Sequence, residues 1–280
     1  MEAVIAPYLD NPFMQRALLA GILVAVPAAV VGTFVVLRGL TFIGDALAHG
    51  VIPGIAGALI VGLPGIAGAA VAAAAMVVAV DVITRRSRLA GDAAVGLVFV
   101  AMLALGVVIV SRSDSFRGDL TTILFGDILG VLWSDLWPQL AVAVFAVVAA
   151  VVLARPFLLL AFDPETARAA GFSPRFAHLA MLVLVALVVV ASFQTVGTLL
   201  VFGMIVAPPS TAALLARRVS SMMLIAVAIG VGSVVVGLLI SFHLDTAGGA
   251  TIVLLQAALF FATLLARNAA DLARRPAPST

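Results

Sequence analysis

The feature that most constrains this chain is a series of nine apolar runs, each 16–23 residues long and nearly free of charge: Met14–Val36, Ala46–Val61, Pro64–Ile83, Ala93–Val110, Leu136–Ala154, Phe176–Ala191, Val196–Ala216, Met222–Ile240 and Ala250–Ala266. A bilayer core takes about 20 apolar residues in a helix. In hydrocarbon every backbone polar group needs an internal partner, so helices are the simplest solution. The sequence therefore predicts an all-α, polytopic membrane protein of about nine transmembrane helices. Composition agrees: 64% of the 280 residues are hydrophobic and 10% charged, against about 45–50% and about 25% in soluble domains. Nine spans leave no room for a soluble domain, so residues 1–280 read as one transmembrane unit. Glu2 and Asp10 precede the first run where a signal peptide would carry a basic region, so that run reads as a retained helix.

Arginine placement sets the expected orientation, because cytoplasmic loops are enriched in basic residues. With the N-terminus outside and the C-terminus cytoplasmic, only Arg16, Arg112 and Arg117 of the 15 arginines fall outside. Between Ser111 and Arg155 the chain must cross an odd number of times, and 45 residues are too few for three spans. The moderately apolar run Leu120–Trp133 is thus expected to be interfacial or re-entrant, with Trp133 and Trp137 in the aromatic belt.

Absences exclude whole classes of function. There is no Lys, so the chain has no Walker A phosphate loop, and ATP would have to be used by a partner. There is no Cys, which removes thiolate chemistry and thiolate metal sites. The net charge of +2 comes from arginines scattered between apolar runs. That is no nucleic-acid footprint, which requires clustering on a water-facing surface.

Ionisable groups at the ends of spans are the functional candidates, since charge in the bilayer is costly and usually faces a cavity or partner. Asp45 and His49 stand four residues apart at the mouth of the second span and share a helix face. Carboxylate plus imidazole suits a divalent metal such as Mn²⁺, Zn²⁺ or Fe²⁺. The competing reading has Asp45 cap the helix and His49 merely bond to it. His243 and Asp245, two residues apart, converge only if the eighth span unwinds before Gly248-Gly249; otherwise both are solvated at the interface. Asp127, in the outer segment, either guards an entrance or is solvated. Asp81 and Arg85 read as a snorkelling pair, and His178 as a satisfied interfacial histidine. Pro208 and Pro209 remove two backbone donors from the seventh span and predict a break there, either lining a pathway or static.

The cytoplasmic segment Phe162–Pro174 carries a complete set of helix punctuation. Asp163 reads as an N-cap, Pro164 as the first helical residue, Glu165 as a first-turn acid and Gly171 as the residue that stops the helix. A stiff two-turn helix of this kind is a docking element for a cytoplasmic protein or a corner between spans. Glycines 50, 54, 57, 62, 65 and 68 crowd the second and third spans, the pattern of closely packed membrane helices.

Taken together, Phe42–His49 with Pro53-Gly54, Asp92–Gly96, Leu124–Asp127, Asp163–Glu165 with Gly171, and Val196–Val201 resemble the membrane permease of metal-type ABC importers, those for zinc, manganese or chelated iron. The resemblance implies a multi-pass protein of the bacterial cytoplasmic membrane, itself no enzyme and holding no cofactor. It implies as partners a second permease copy, two ATP-hydrolysing subunits and an extracytoplasmic metal-binding protein. It places Asp45 and His49 on the translocation path and makes Asp163–Gly171 the coupling helix. The chain departs from the family at Pro208-Pro209-Ser210 and at Asp245-Thr246-Ala247. The alternatives are an ion-gradient-driven metal carrier, an ABC permease for a chelated-metal or siderophore substrate, a scaffold, and an intramembrane enzyme. The last lacks HExxH, GxSxG and a cysteine nucleophile.

Overall fold

A computed structural model describes residues 7–8, 10–87, 89, 91–111 and 128–273. The described residues form helices α1 (Pro12–Leu37), α2 (Phe42–Gly50), α3 (Ile52–Ile60), α4 (Gly65–Arg86), α5 (Gly91–Ser111), α6 (Trp133–Val152), α7 (Ala154–Phe162), α8 (Pro164–Ala169), α9 (Pro174–Leu215), α10 (Val219–Leu244) and α11 (Gly248–Ala273). Among them nine segments are long and apolar enough to span a bilayer. Helices α2 and α3 together make one span, Phe42–Ile60, while α9 holds two, Pro174–Phe193 and Thr195–Leu215. The chain is thus a multi-pass membrane protein, as its apolar runs require.

The reversal inside α9 falls at Gly197, whose φ of 78° and ψ of 163° lie outside the helical region. Only glycine adopts this conformation without strain. Helical structure continues through Pro208 and Pro209. The sequence expectation of a break at the prolines is therefore not met; the break sits eleven residues earlier. Pro209 still leaves the carbonyl of Ile205 without its usual donor, and that oxygen packs against Gly32 of α1 so closely that an added Cβ would overlap it.

Helix α1 is the central post, packed by α6, α9 and α10. Its buried face is built from Ala17, Ala20, Gly21, Ala25, Ala28, Ala29 and Gly32, small residues that allow close helix approach where lipid removes the hydrophobic drive between helices. At one end of α1, Phe13 packs on Phe242 and the Tyr8 hydroxyl donates to the Val235 carbonyl at 2.6 Å. At the other, Arg38 Nη1 donates to the Leu160 carbonyl at 2.7 Å, and burial pushes the Arg38 guanidinium below its ordinary value. This second end also holds the Asp81–Arg85 ion pair and the carbonyl of Leu214, which accepts from Arg267. His178 lies there too, close to Arg38 and Arg85. Both its ring nitrogens are buried without a hydrogen-bond partner, so the satisfied histidine expected from the sequence is not what the fold contains.

Helices α3 and α4 approach through a reciprocal glycine contact. A Cβ on Gly54 would overlap the Gly68 carbonyl oxygen, and a Cβ on Gly68 would overlap that of Gly54. Helix α5 packs on α2, α3 and α4, and α11 on α9 and α10. Both leave long apolar faces to the bilayer.

Candidate ion site and docking helix

Helix α2 brings Asp45 and His49 together on one face, as their spacing requires. Asp45 Oδ1 lies 3.3 Å from His49 Nδ1, and both side chains are partly exposed, at 26% and 29%. The same ring nitrogen lies 3.2 Å from the Asp45 carbonyl. With two oxygen acceptors before it, Nδ1 carries the proton of the neutral ring, and Nε2 keeps its lone pair for another partner. Phe99 of α5 stands edge-on to the imidazole at 6.3 Å and in turn meets Phe42 at 5.4 Å. The ring is thereby fixed by a carboxylate on one side and an aromatic wall on the other.

His49 faces a cavity of about 470 Å³ between α3 and α5. Its other walls are Ile52, Leu103, Gly106, Val107 and Val110, with Ser111 at one end. Gly106 lies where Pro53 meets α5, and a Cβ there would make a tight contact, 3.3 Å from the proline Cδ. The span breaks between α2 and α3 at Val51, directly after the His49 turn. Pro53 removes the backbone donor that would otherwise bond the His49 carbonyl. Chemically this is one imidazole nitrogen and one carboxylate beside an open apolar groove. Among the described residues no group of three or more His, Cys, Asp or Glu side chains could hold a metal ion. One chain therefore offers the pair and no complete site.

The other sequence candidates do not join this pair. Helix α10 stays helical through Leu244 and ends on Asp245 in the left-handed region, φ 48°. His243 instead turns its Nδ1 to the Leu239 carbonyl at 2.8 Å. Both are exposed, so the unwinding that would converge them does not occur. Asp127 and the adjoining stretch of the outer segment lie outside the described residues. Trp133 and Trp137, 52% and 72% exposed, open helix α6.

The docking candidate is built as its punctuation predicts. The Asp163 carboxylate accepts from the Glu165 and Thr166 amides at 3.1 and 2.9 Å and from the Thr166 hydroxyl at 2.7 Å. The Thr166 hydroxyl, followed by the two amides, holds the Asp163 carboxyl below its ordinary range. Gly171, at φ 82°, closes the other end. Its amide bonds the Arg168 carbonyl and the Phe172 amide bonds that of Ala167, the paired bonds of a Schellman stop. Ser173 then caps α9 through the Phe176 amide. Ala167 is the buried anchor, Glu165 and Arg168 pair on the exposed side, and Arg155 sits over the Phe172 ring at 5.9 Å. The result is a stiff helix presented at the arginine-bearing end of the bundle.

Sequence reasoning missed the Nδ1 tautomer lock and the α2–α3 break. The first depends on a ring rotamer. The second had a visible signal in Gly50-Val51-Ile52-Pro53-Gly54. The Gly54–Gly68 contact gives a specific form to the close packing that the glycines of the second and third spans predict.

Residues 10–267 match the model of the ABC 3 transport family. The chain is 36% identical over 253 residues to the manganese transport system membrane protein MntC of Listeria innocua, spanning 90% of both chains. It is 40% identical over 257 residues to the chelated iron transport system membrane protein YfeD of Yersinia pestis, covering 92% of this chain and 86% of that one. The solved structure of PsaBC from Streptococcus pneumoniae in complex with Fab superposes with a TM-score of 0.81 at 33% identity, covering 93% and 94% of the two chains.

Proposed function

The chain belongs to the ABC 3 transport family, and on that premise we propose that it is the membrane permease of an ATP-driven importer for a divalent transition metal. The observation that carries the reading is the Asp45–His49 pair held beside the α3–α5 cavity, in a family whose members include manganese and chelated-iron transport proteins. Nitrogen and oxygen donors without thiolate favour Mn²⁺, Fe²⁺ or Zn²⁺ over Cu(I).

His49 Nε2 and the free Asp45 oxygen are the contacts offered to the passing ion, and the Nδ1 bond keeps the imidazole aimed. Two ligands per chain are too few for tight coordination, which suits a path that the ion must leave again. A second copy of the chain would double the set. Motion enters through α8: a helix fixed at both ends transmits displacement of a docked ATPase to α7 and α9 rather than fraying. The N-terminus lies outside in this reading, which puts α8 in the cytoplasm with most of the arginines, and an extracytoplasmic binding protein delivers the ion.

The test is ATP hydrolysis and ion uptake by the reconstituted permease with its ATPase, across Mn²⁺, Fe²⁺ and Zn²⁺. Stimulation by at least one of these ions is expected, with uptake lost in Asp45→Ala and His49→Ala while ATPase assembly is retained. Normal uptake in both variants overturns the site. Uptake driven by an ion gradient without ATP overturns the energy source.

A further inference from the structure

An apolar groove runs between α1 and α6, away from the cavity walled by α3 and α5. Its deeper part, about 300 Å³, is walled by residues such as Ile22, Val26 and Ala143, and its outer part, about 240 Å³, by Leu19, Trp133 and Trp137. Leu23 and Leu140 line both, so the two parts adjoin along the same groove. Every one of these walls is hydrocarbon or indole. Arg16 precedes Leu19 by one turn of α1, and helical spacing puts it on the side of the helix that carries Leu19, beyond the part of the groove walled by Trp133 and Trp137. Its Nε is buried without a hydrogen-bond partner, and among the described residues no acidic group pairs with it. The Asp135 carboxylate at the start of α6 is already engaged, accepting from the Leu132 amide and the Ser134 hydroxyl.

We propose that this groove is a phospholipid site, in which an acyl chain fills the channel between α1 and α6 and the anionic headgroup phosphate pairs with Arg16. A guanidinium is the side chain best shaped for phosphate. Indole rings at a groove mouth mark the depth of the headgroup region. A channel that changes from purely apolar walls to a cation with an open donor matches the polarity profile of a lipid. The inference needs only the membrane spans and is independent of which ion the chain carries.

The chain's only two tryptophans are Trp133 and Trp137, so intrinsic fluorescence reads this groove directly. The test titrates the full chain, reconstituted in phosphatidylcholine bilayers, with brominated-chain phosphatidylglycerol or brominated-chain phosphatidylcholine and measures quenching. Phosphatidylglycerol is expected to bind about fivefold better, the factor one cation near a membrane surface confers. Arg16→Gln should bring the two lipids to parity, and Arg16→Lys should keep part of the preference. Ala143→Phe, which fills the channel, should weaken phosphatidylglycerol binding with Arg16 intact. Equal binding of the two lipids by the unaltered protein overturns the proposal, as does a preference that survives Arg16→Gln or binding unchanged in Ala143→Phe. Tryptophans quenched by neither lipid also overturn it, and would indicate that a second copy covers the groove.

Discussion

Two glycines one turn apart on α3 allow the helix contact beneath the ion site to be weighed. Gly54 meets the Gly68 carbonyl so closely that an added methyl overlaps it, whereas Gly57 has nothing within 4 Å of a Cβ. Replacing either by Ala gains the same helix preference, about 0.5–1 kcal/mol. The difference between the two variants therefore isolates the clash, about 1–3 kcal/mol for an overpacked methyl. Backbone on both sides cannot rotate away, so the upper part of that range is expected. Thermal unfolding followed by size-exclusion chromatography is the assay. At roughly 2–4 °C per kcal/mol, Gly54→Ala should melt several degrees below Gly57→Ala, and Gly57→Ala at or slightly above the unaltered protein. Gly68→Ala in the Gly54→Ala background should lower it further, since each methyl meets the opposite backbone. Equal melting of Gly54→Ala and Gly57→Ala would refute the α3–α4 contact, and with it the rigid footing of the Pro53 end of the site.

The α8 cap carries a pH dependence of definite sign. Because the folded Asp163 pKa is lowered, the stabilisation is fully present above the ordinary aspartate value of about 3.9 and is lost as pH falls through the lowered value. Thr166→Val removes the largest cause and should move the carboxyl back up in a ¹³C NMR titration; an unmoved titration contradicts the cap. Gln256, fully buried on α11 with both amide atoms unpartnered, carries the cost of an orphaned polar group, about 1–3 kcal/mol. Gln256→Met should therefore raise the melting temperature, and a lower one would mean that the amide has a partner.

The sequence and the structure agree where a rule depends on local chemistry. The nine spans follow from run length alone, and the α8 cap from Asp163, Pro164 and Gly171, whose preferences act within a single turn. The Asp45–His49 contact follows from helical periodicity. Disagreement begins where neighbours decide. Pro208 and Pro209 remove two donors, yet the helix runs on through them, and the chain reverses at Gly197, where glycine alone tolerates the φ and ψ. His243 and Asp245 converge only if α10 unwinds, and the helix instead runs to Leu244 and turns the imidazole to its own backbone, leaving both groups exposed. The orphaned ring of His178 and the groove beneath Arg16 depend on which helices pack together, a fact no single run of residues contains.

Pulsed electron paramagnetic resonance of Mn²⁺ bound to the reconstituted permease tests the central claim most directly. A ¹⁴N coupling from an imidazole should be present in the unaltered protein, absent in His49→Ala and weakened in Asp45→Ala, where Nδ1 loses its orienting carboxylate. Mn²⁺ bound without any nitrogen coupling, or a coupling unchanged in His49→Ala, would contradict the assignment of this pair as the resting place of the ion.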